Sequence, residues 1–269
     1  MLQRSDGPRP INVHELWEYR SLIAALTARQ LQVRYAQTVL GVGWAVVRPL
    51  VSMLVFTIIF QRVVQVPSDN RPYQAFSLAA VVPWSYFSTV LTGAGVSLTG
   101  SSSMLTKVYF PRLALPISAA AAALVDFAIG FALLLVTIAW FGIVPSIWSV
   151  IVIPVLTLAM MLTAIGVGCA VAALDIQYRD VKQLVPFVLQ IWMYASPVIY
   201  PLSSVPERYK ALYQLNPMAP LIGGFRSVLL QTGPSDWHSI GVACLVSLSI
   251  GLSGMFYFRF RERIFADVV

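Results

Sequence analysis

Long charge-free runs separated by short charged clusters set the rhythm of this chain. An ionised side chain at mid-bilayer costs about 3 kcal/mol on insertion scales. Charge-free windows of about 20 residues therefore mark membrane-spanning helices. The window from Pro49 to Gln61 is short, but the long stems of Arg48 and Arg62 can snorkel to the headgroups, so a first span falls at about 46–66. A second falls at about 75–97, and a third at about 113–141, apolar except for Asp126. The run from Phe127 to Leu174 is too long for one helix, and Gly142 with Pro145 divides it, so a fourth span falls at about 147–173. A fifth lies at about 183–200, ending near Tyr200-Pro201, and a sixth at about 237–258. The pattern predicts an all-α membrane protein with six transmembrane helices in a single domain over 1–269.

Six spans place both termini on one side, and the positive-inside rule chooses the side. With the N-terminus inside, inner segments carry Arg4, Arg9, Arg20, Arg29, Arg34, Arg48, Lys107, Arg112, Arg179, Lys182, Arg259, Arg261 and Arg263. Outer segments carry only Arg62, Arg71, Arg208, Lys210 and Arg226, which selects N-in/C-in.

Two segments outside the spans also have a pattern. Residues 12–36 read as an amphipathic surface helix, with Leu16, Tyr19, Ile23 and Leu26 at three- and four-residue steps. Asn12 followed by Glu15 resembles a capping box, and acids precede bases as the helix dipole favours. The outer segment 202–236 is apolar from Ala211 to Phe225 and interrupted by prolines and glycines. That pattern predicts short re-entrant helices sheltered by protein.

Composition agrees: 58% of the 269 residues are hydrophobic and 11% charged, against about 25% charged in soluble domains. This excludes a disordered chain, a small disulfide-stapled fold and a nucleic-acid-binding domain, so no nucleic-acid partner is expected. The net charge of +7 fits inner loops. Cys169 and Cys244 lie in apolar runs and read as free, buried thiols. Residues 1–20 lack the apolar stretch of a signal peptide.

Several chemistries are missing from the sequence. No G-x-x-x-x-G-K-[ST] loop is present, because Lys107, Lys182 and Lys210 all lack the preceding glycine. No H-E-x-x-H and no cluster with metal-ligand spacing occurs, so no bound cofactor and no metal is expected on this chain. Gly251-Leu252-Ser253-Gly254 fits an intramembrane serine-protease motif. However, Ser253 and His238 would lie about 22 Å apart along one helix, too far for a nucleophile and its base. Small residues packing helices is the plainer reading.

Three features carry candidate function. Asp126 is the only acid deep in a span, and it suits a proton relay, a polar path or a pair with an Arg from another helix. Asp175, Arg179, Asp180 and Lys182 crowd the inner loop between spans four and five, as a solvated turn or as contacts to a cytosolic partner. Lys107-Val108-Tyr109-Phe110-Pro111-Arg112 shows apolar residues to the cytosol between two cations. It reads as a protein-docking plug or as aromatic anchors at the headgroups.

At this point the chain resembles the membrane subunit of type-2 ABC exporters, in the polysaccharide-export branch. The resemblance rests on Arg34-Tyr35-Ala36-Gln37-Thr38-Val39-Leu40-Gly41 through Trp44 and Arg48-Pro49-Leu50, and on the Lys107–Arg112 loop. It rests further on Asp175-Ile176-Gln177-Tyr178-Arg179-Asp180-Val181, Ser196-Pro197-Val198-Ile199-Tyr200 and Leu215-Asn216-Pro217-Met218, and it covers roughly 12–260. The order and spacing of these motifs, more than any one of them, are specific.

The resemblance implies a homodimer of this chain on two copies of a separate ABC ATPase, which would hold ATP and Mg. It implies that residues 12–36 lie along the inner interface, that 99–112 form a coupling helix seated in the ATPase, and that 202–236 gate the exit. The substrate it implies is a lipid-linked glycan such as O antigen, or teichoic acid or capsule, moved across the bacterial inner membrane. Aromatic rings stack on the apolar faces of sugars. Trp44, Phe56, Phe60, Tyr86, Phe87, Trp192, Tyr194 and Tyr200 are the candidates for lining the path. The competing readings are a permease of the same superfamily for a drug or lipid, and a proton-coupled carrier using Asp126.

Overall fold

The computed structural model describes residues 13–36, 38–101, 110–178, 180–206, 208–209, 213, 215–233 and 236–268, and among them every regular element is helical. The expected helix over 12–36 is two helices, α1 (Val13–Glu18) and α2 (Arg20–Tyr35). Asn12 lies outside the described residues. A tight turn over Gly41–Gly43 leads into α3 (Trp44–Phe56), which widens into a π-helical stretch over Thr57–Val63. Gly41 takes φ of +51°, a left-handed value that glycine reaches without strain.

The helix α4 (Tyr73–Gly95) is the centre of the molecule. It packs against α3 and also against α5 (Ala114–Trp140), α6 (Ser149–Asp175), α7 (Val181–Tyr194) and α8 (Met218–Leu230). Its residues are buried nearly all round, consistent with an apolar helix that has no face left for lipid. The chain ends in α9 (Trp237–Val268), which lies along α6.

Small residues let these helices approach closely. A Cβ on Gly166 of α6 would lie 2.3 Å from the Ile250 carbonyl of α9, and one on Gly254 would lie 2.0 Å from the Gly166 carbonyl. On the other side of α6, a Cβ on Gly168 would lie 2.6 Å from that of Ala94 in α4. In lipid, where apolar burial gives helices no drive to associate, such backbone contact supplies the packing energy. Gly254 thus serves helix packing, and the Ser253 hydroxyl donates to the Ile250 carbonyl within its own helix.

Among the described residues, five helices are long and apolar enough to cross a membrane: Gly41–Val63, Tyr73–Gly95, Ala114–Trp140, Ser149–Asp175 and Trp237–Glu262. The expected span at 183–200 is the exception, because its helix, α7, has 14 residues and stops at Tyr194. Pro197 explains the stop: it has no N–H to continue the helix, and its ring pushes Ser196 away from helical geometry. The Asn216 amide closes the frayed end, donating to the Ala195 carbonyl at 3.1 Å and the Ser196 hydroxyl at 2.9 Å.

The chain nevertheless travels between the two ends of the bundle here. Lys182, at the start of α7, lies 3.6 Å from Asp175 at the end of α6. Seventeen positions on, the Ile199 carbonyl accepts from the Tyr73 hydroxyl at 2.9 Å, at the opposite end of α4. The Asp175 end also gathers Arg259 on Glu15 (3.2 Å), Arg112 on Glu262 (3.6 Å) and Arg261 on Gln177 (3.2 Å). The described N-terminal helix and the end of α9 thus share this cation-rich end.

Among the described residues, the expected re-entrant stretch at 202–236 includes a short turn, Leu202–Ser204, helical residues at Arg208, Tyr209, Tyr213 and Leu215, and the buried apolar helix α8. Gln231, in the left-handed conformation, ends α8, and its amide donates to the Val144 carbonyl. Asp236 caps α9 by accepting from the Ser239 N–H and hydroxyl, and those hydrogen bonds hold its carboxyl below the usual range.

Candidate functional site

Asp126, midway along α5, meets α2. Its carboxylate accepts from the Arg34 guanidinium through one oxygen and from the Tyr35 hydroxyl through the other. Both charged side chains are one-quarter exposed, so the pair is largely withdrawn from solvent. About two turns nearer the start of α5, the Gln30 amide donates to the Ser118 hydroxyl at 2.8 Å. The helix α2 therefore runs beside the first half of α5 and delivers its last turn to the middle of that span.

The Asp175 end of the bundle holds a second cluster. Asp175 is buried, 2% exposed. One of its oxygens accepts from Thr99 at 2.8 Å and faces Lys182 at 3.6 Å, while the other has no hydrogen-bond partner among the described residues. Thr99 is the first residue of the expected coupling segment 99–112, so Asp175 ties the start of that segment to the ends of α6 and α7. Asp180 is exposed. Lys107, Val108, Tyr109 and Arg179 lie outside the described residues. Phe110 corrects an expectation: it does not show its ring to the cytosol but is buried at 4% exposure in the core with Leu113 and Leu98. Pro111 is also buried, and Arg112 turns to the Glu262 carbonyl at 2.8 Å. Burying an aromatic ring removes a large apolar area from water, which outweighs display on a loop.

The aromatic candidates divide. Phe87 is fully buried, edge-on to Trp192 with centroids 5.0 Å apart, and offers no face to a ligand. The Tyr86 ring is buried against Phe127 at 5.1 Å. Both are thereby removed from the list of stacking surfaces. Trp192 donates from Nε1 to Asn216 at 2.9 Å, and Tyr200 shares a hydroxyl contact with Tyr213, so these two brace the outer segment. Phe56 at the end of α3 and Phe60 in the stretch that follows it pack edge-to-face, while Trp44 and Tyr194 are exposed.

Sequence patterning missed the outer hub. Arg226, counted above among outer loop charges, is buried within α8. Its guanidinium donates to the carbonyls of Pro197 (2.6 Å), Val198 (2.7 Å), Tyr200 (3.1 Å) and Phe76 (3.3 Å). The break after Tyr194 leaves the Pro197, Val198 and Tyr200 carbonyls outside any helix, and buried carbonyls need donors. One planar, five-donor side chain supplies them. The available signal was a lone Arg closing an apolar run of 14 residues from Leu212 to Phe225.

Among the described residues, five long apolar helices, one of them the buried central α4, with cations at one end, define a multi-pass integral membrane protein. Residues 21–230 match the model of the ABC-2 type transporter family, and the chain belongs to that family. It is 29% identical over 259 residues to the O-antigen export system permease protein RfbA of Myxococcus xanthus, covering 96% of this chain and 98% of that one. It is 25% identical to a protein of the same name from Klebsiella pneumoniae, over 92% of this chain and 95% of that one. It is 21% identical to the polysialic acid transport protein KpsM of Escherichia coli, over 89% and 93%.

Proposed function

We propose that this chain is the permease subunit of an ATP-driven exporter that moves a lipid-linked polysaccharide, such as an O antigen, outward across the bacterial inner membrane. The observation that carries the reading is the near end-to-end similarity to O-antigen export permeases and to a polysialic acid transport protein. In this reading two copies of the chain stand on two copies of a separate ABC ATPase, which binds ATP and Mg and supplies the energy. Residues 182–199 complete a sixth crossing, and both termini face the cytoplasm.

The mechanism follows from what the side chains join. ATP binding draws the two ATPases together and moves the coupling segment at 99–112. Thr99 passes that motion to Asp175, and Asp175 passes it to α6 and, through Lys182, to α7. The far end of α7 is held by Asn216 and Arg226, so displacement at the inner end reaches the outer segment that closes the exit. The glycan moves between the protomers, where exposed aromatics such as Trp44 and Tyr194 offer stacking faces. Asp126 serves structure in this account, since Arg34 and Tyr35 already occupy its two oxygens.

Co-purification tests the partnership. Tyr109→Ala, with the buried Phe110 left intact, should release a co-expressed ABC ATPase from the solubilised permease. Undiminished retention of the ATPase would count against 99–112 as the coupling element.

A further inference from the structure

A cavity of about 240 Å³ lies between the end of α2, the start of α3 and the middles of α4 and α5. Its charged lining residues are Arg34, Arg48 and Asp126. Asp126 is matched by Arg34, and among the described residues no carboxylate lies within ion-pair distance of Arg48, whose guanidinium carbon lies 5.9 Å from the centroid of the Trp44 ring. Arg48 is itself exposed, so it stands at the mouth of the cavity as an unmatched positive charge.

The depth makes that charge expensive. Pro49, next to Arg48, packs at the level of Gly130 and Val82: a Cβ on Gly130 would lie 3.4 Å from Val82 and 3.9 Å from Pro49. Gly130 sits past the midpoint of the 27-residue α5. An arginine at that depth without a partner acid is disfavoured unless a polar path or an anion receives it.

A second, independent observation points to a ligand. Tyr86 lines the same cavity and is 2% exposed, yet its hydroxyl has no hydrogen-bond partner among the described residues. Ser85 and Thr89 add further hydroxyls to the wall. A guanidinium with surrounding hydroxyl donors is a donor set for phosphate, which arginine meets with two parallel N–H groups. The volume falls below the ~300–1,000 Å³ of drug-sized ligand sites, which suits a headgroup rather than a length of glycan.

We propose that this cavity binds a phosphate ester or diphosphate, with Arg48 and the Tyr86 hydroxyl as its donors, and that it seats the phosphate joining lipid to glycan in the substrate. The inference rests on the proposed function for the source of the phosphate, but the chemistry of the site stands on the cavity. The anion arrives from the inner leaflet along α2, while its lipid tail remains in the bilayer beside the exposed apolar face of α3.

The test is calorimetric titration of the full-length protein in nanodiscs of zwitterionic lipid. Farnesyl diphosphate, inorganic diphosphate and phosphatidylglycerol are the probes. Farnesyl diphosphate should bind saturably, Arg48→Gln should weaken it at least tenfold, and Tyr86→Phe should weaken it several-fold, with both variants melting like the parent without ligand. If inorganic diphosphate binds equally tightly, the site is supported and its source is free phosphate. If phosphatidylglycerol does, the site is supported and its source is bulk lipid. Equal binding by the parent and Tyr86→Phe, together with no effect of Arg48→Gln, overturns the proposal, as does the absence of saturable binding by any probe. These outcomes are separable from the proposed function, because ATPase retention and glycan export are read independently of them.

Discussion

The guanidinium carbon of Arg226 lies 3.5 Å from the centroid of the Phe76 ring. That stack fixes the plane of the guanidinium, and the plane aims its N–H groups at the carbonyls of Pro197, Val198 and Tyr200. A short helix, a broken helix and the central helix α4 meet on one side chain. Cation–ring contact in a desolvated setting adds about 2 kcal/mol to such hydrogen bonds.

Arg226→Lys should therefore fail as a replacement, because an ammonium cannot serve four carbonyls in one plane. Arg226→Ala should cost about 3 kcal/mol or more, since several buried carbonyls lose their donors together. Thermal unfolding of the purified variants in nanodiscs reads both. Melting within a degree or two of the parent would remove the hub from the account.

Gly166→Ala and Gly254→Ala should each separate α6 from α9. The added methyl has no room beside a backbone carbonyl of the facing helix. Overpacking of this kind costs roughly 1–3 kcal/mol. By contrast, Gly223→Ala meets nothing within 4 Å and should leave the melting temperature nearly unchanged. A size-exclusion and melting comparison of the three variants checks the contrast.

Asp126→Asn keeps an acceptor for Tyr35 and should retain most transport. Asp126→Ala strands the Arg34 cation and should lose about 2 kcal/mol of stability, a value discounted for the partial exposure of the pair. Adding Arg34→Ala to Asp126→Ala should recover part of that loss. A proton carrier predicts the opposite ordering, with Asp126→Asn folded but inactive.

Asp175→Asn keeps an acceptor for Thr99 and removes the attraction of Lys182. Transport should fall several-fold while the ATPase still co-purifies. Unchanged transport would reduce Asp175 to a local brace.

Charge spacing made five helices legible within a few residues, because excluding charge from lipid is a strong and local rule. The fifth expected span, 183–200, holds a shorter helix than its length implies, because a charge-free window does not weigh the backbone break that Pro197 imposes. Arg226 was misplaced for a related reason, since a rule about loops assigns a loop charge to water, whereas here broken backbone called the charge inward. The pairing of Asp126 was foreseeable in kind, as an Arg from another helix. That the partner is Arg34 was not, because sequence does not say that α2 descends beside α5. Phe110 shows the limit of reading exposure from an apolar triplet in a loop.

The central claim is that this chain conducts a glycan outward on energy from a separate ATPase. The direct measurement is translocation in proteoliposomes holding the permease with its ABC ATPase and a labelled lipid-linked polysaccharide. The account predicts that label crosses the bilayer only when both subunits, ATP and Mg are present, and that a proton gradient alone moves nothing. Translocation by the permease without the ATPase, driven by a proton gradient and lost in Asp126→Asn, would contradict it.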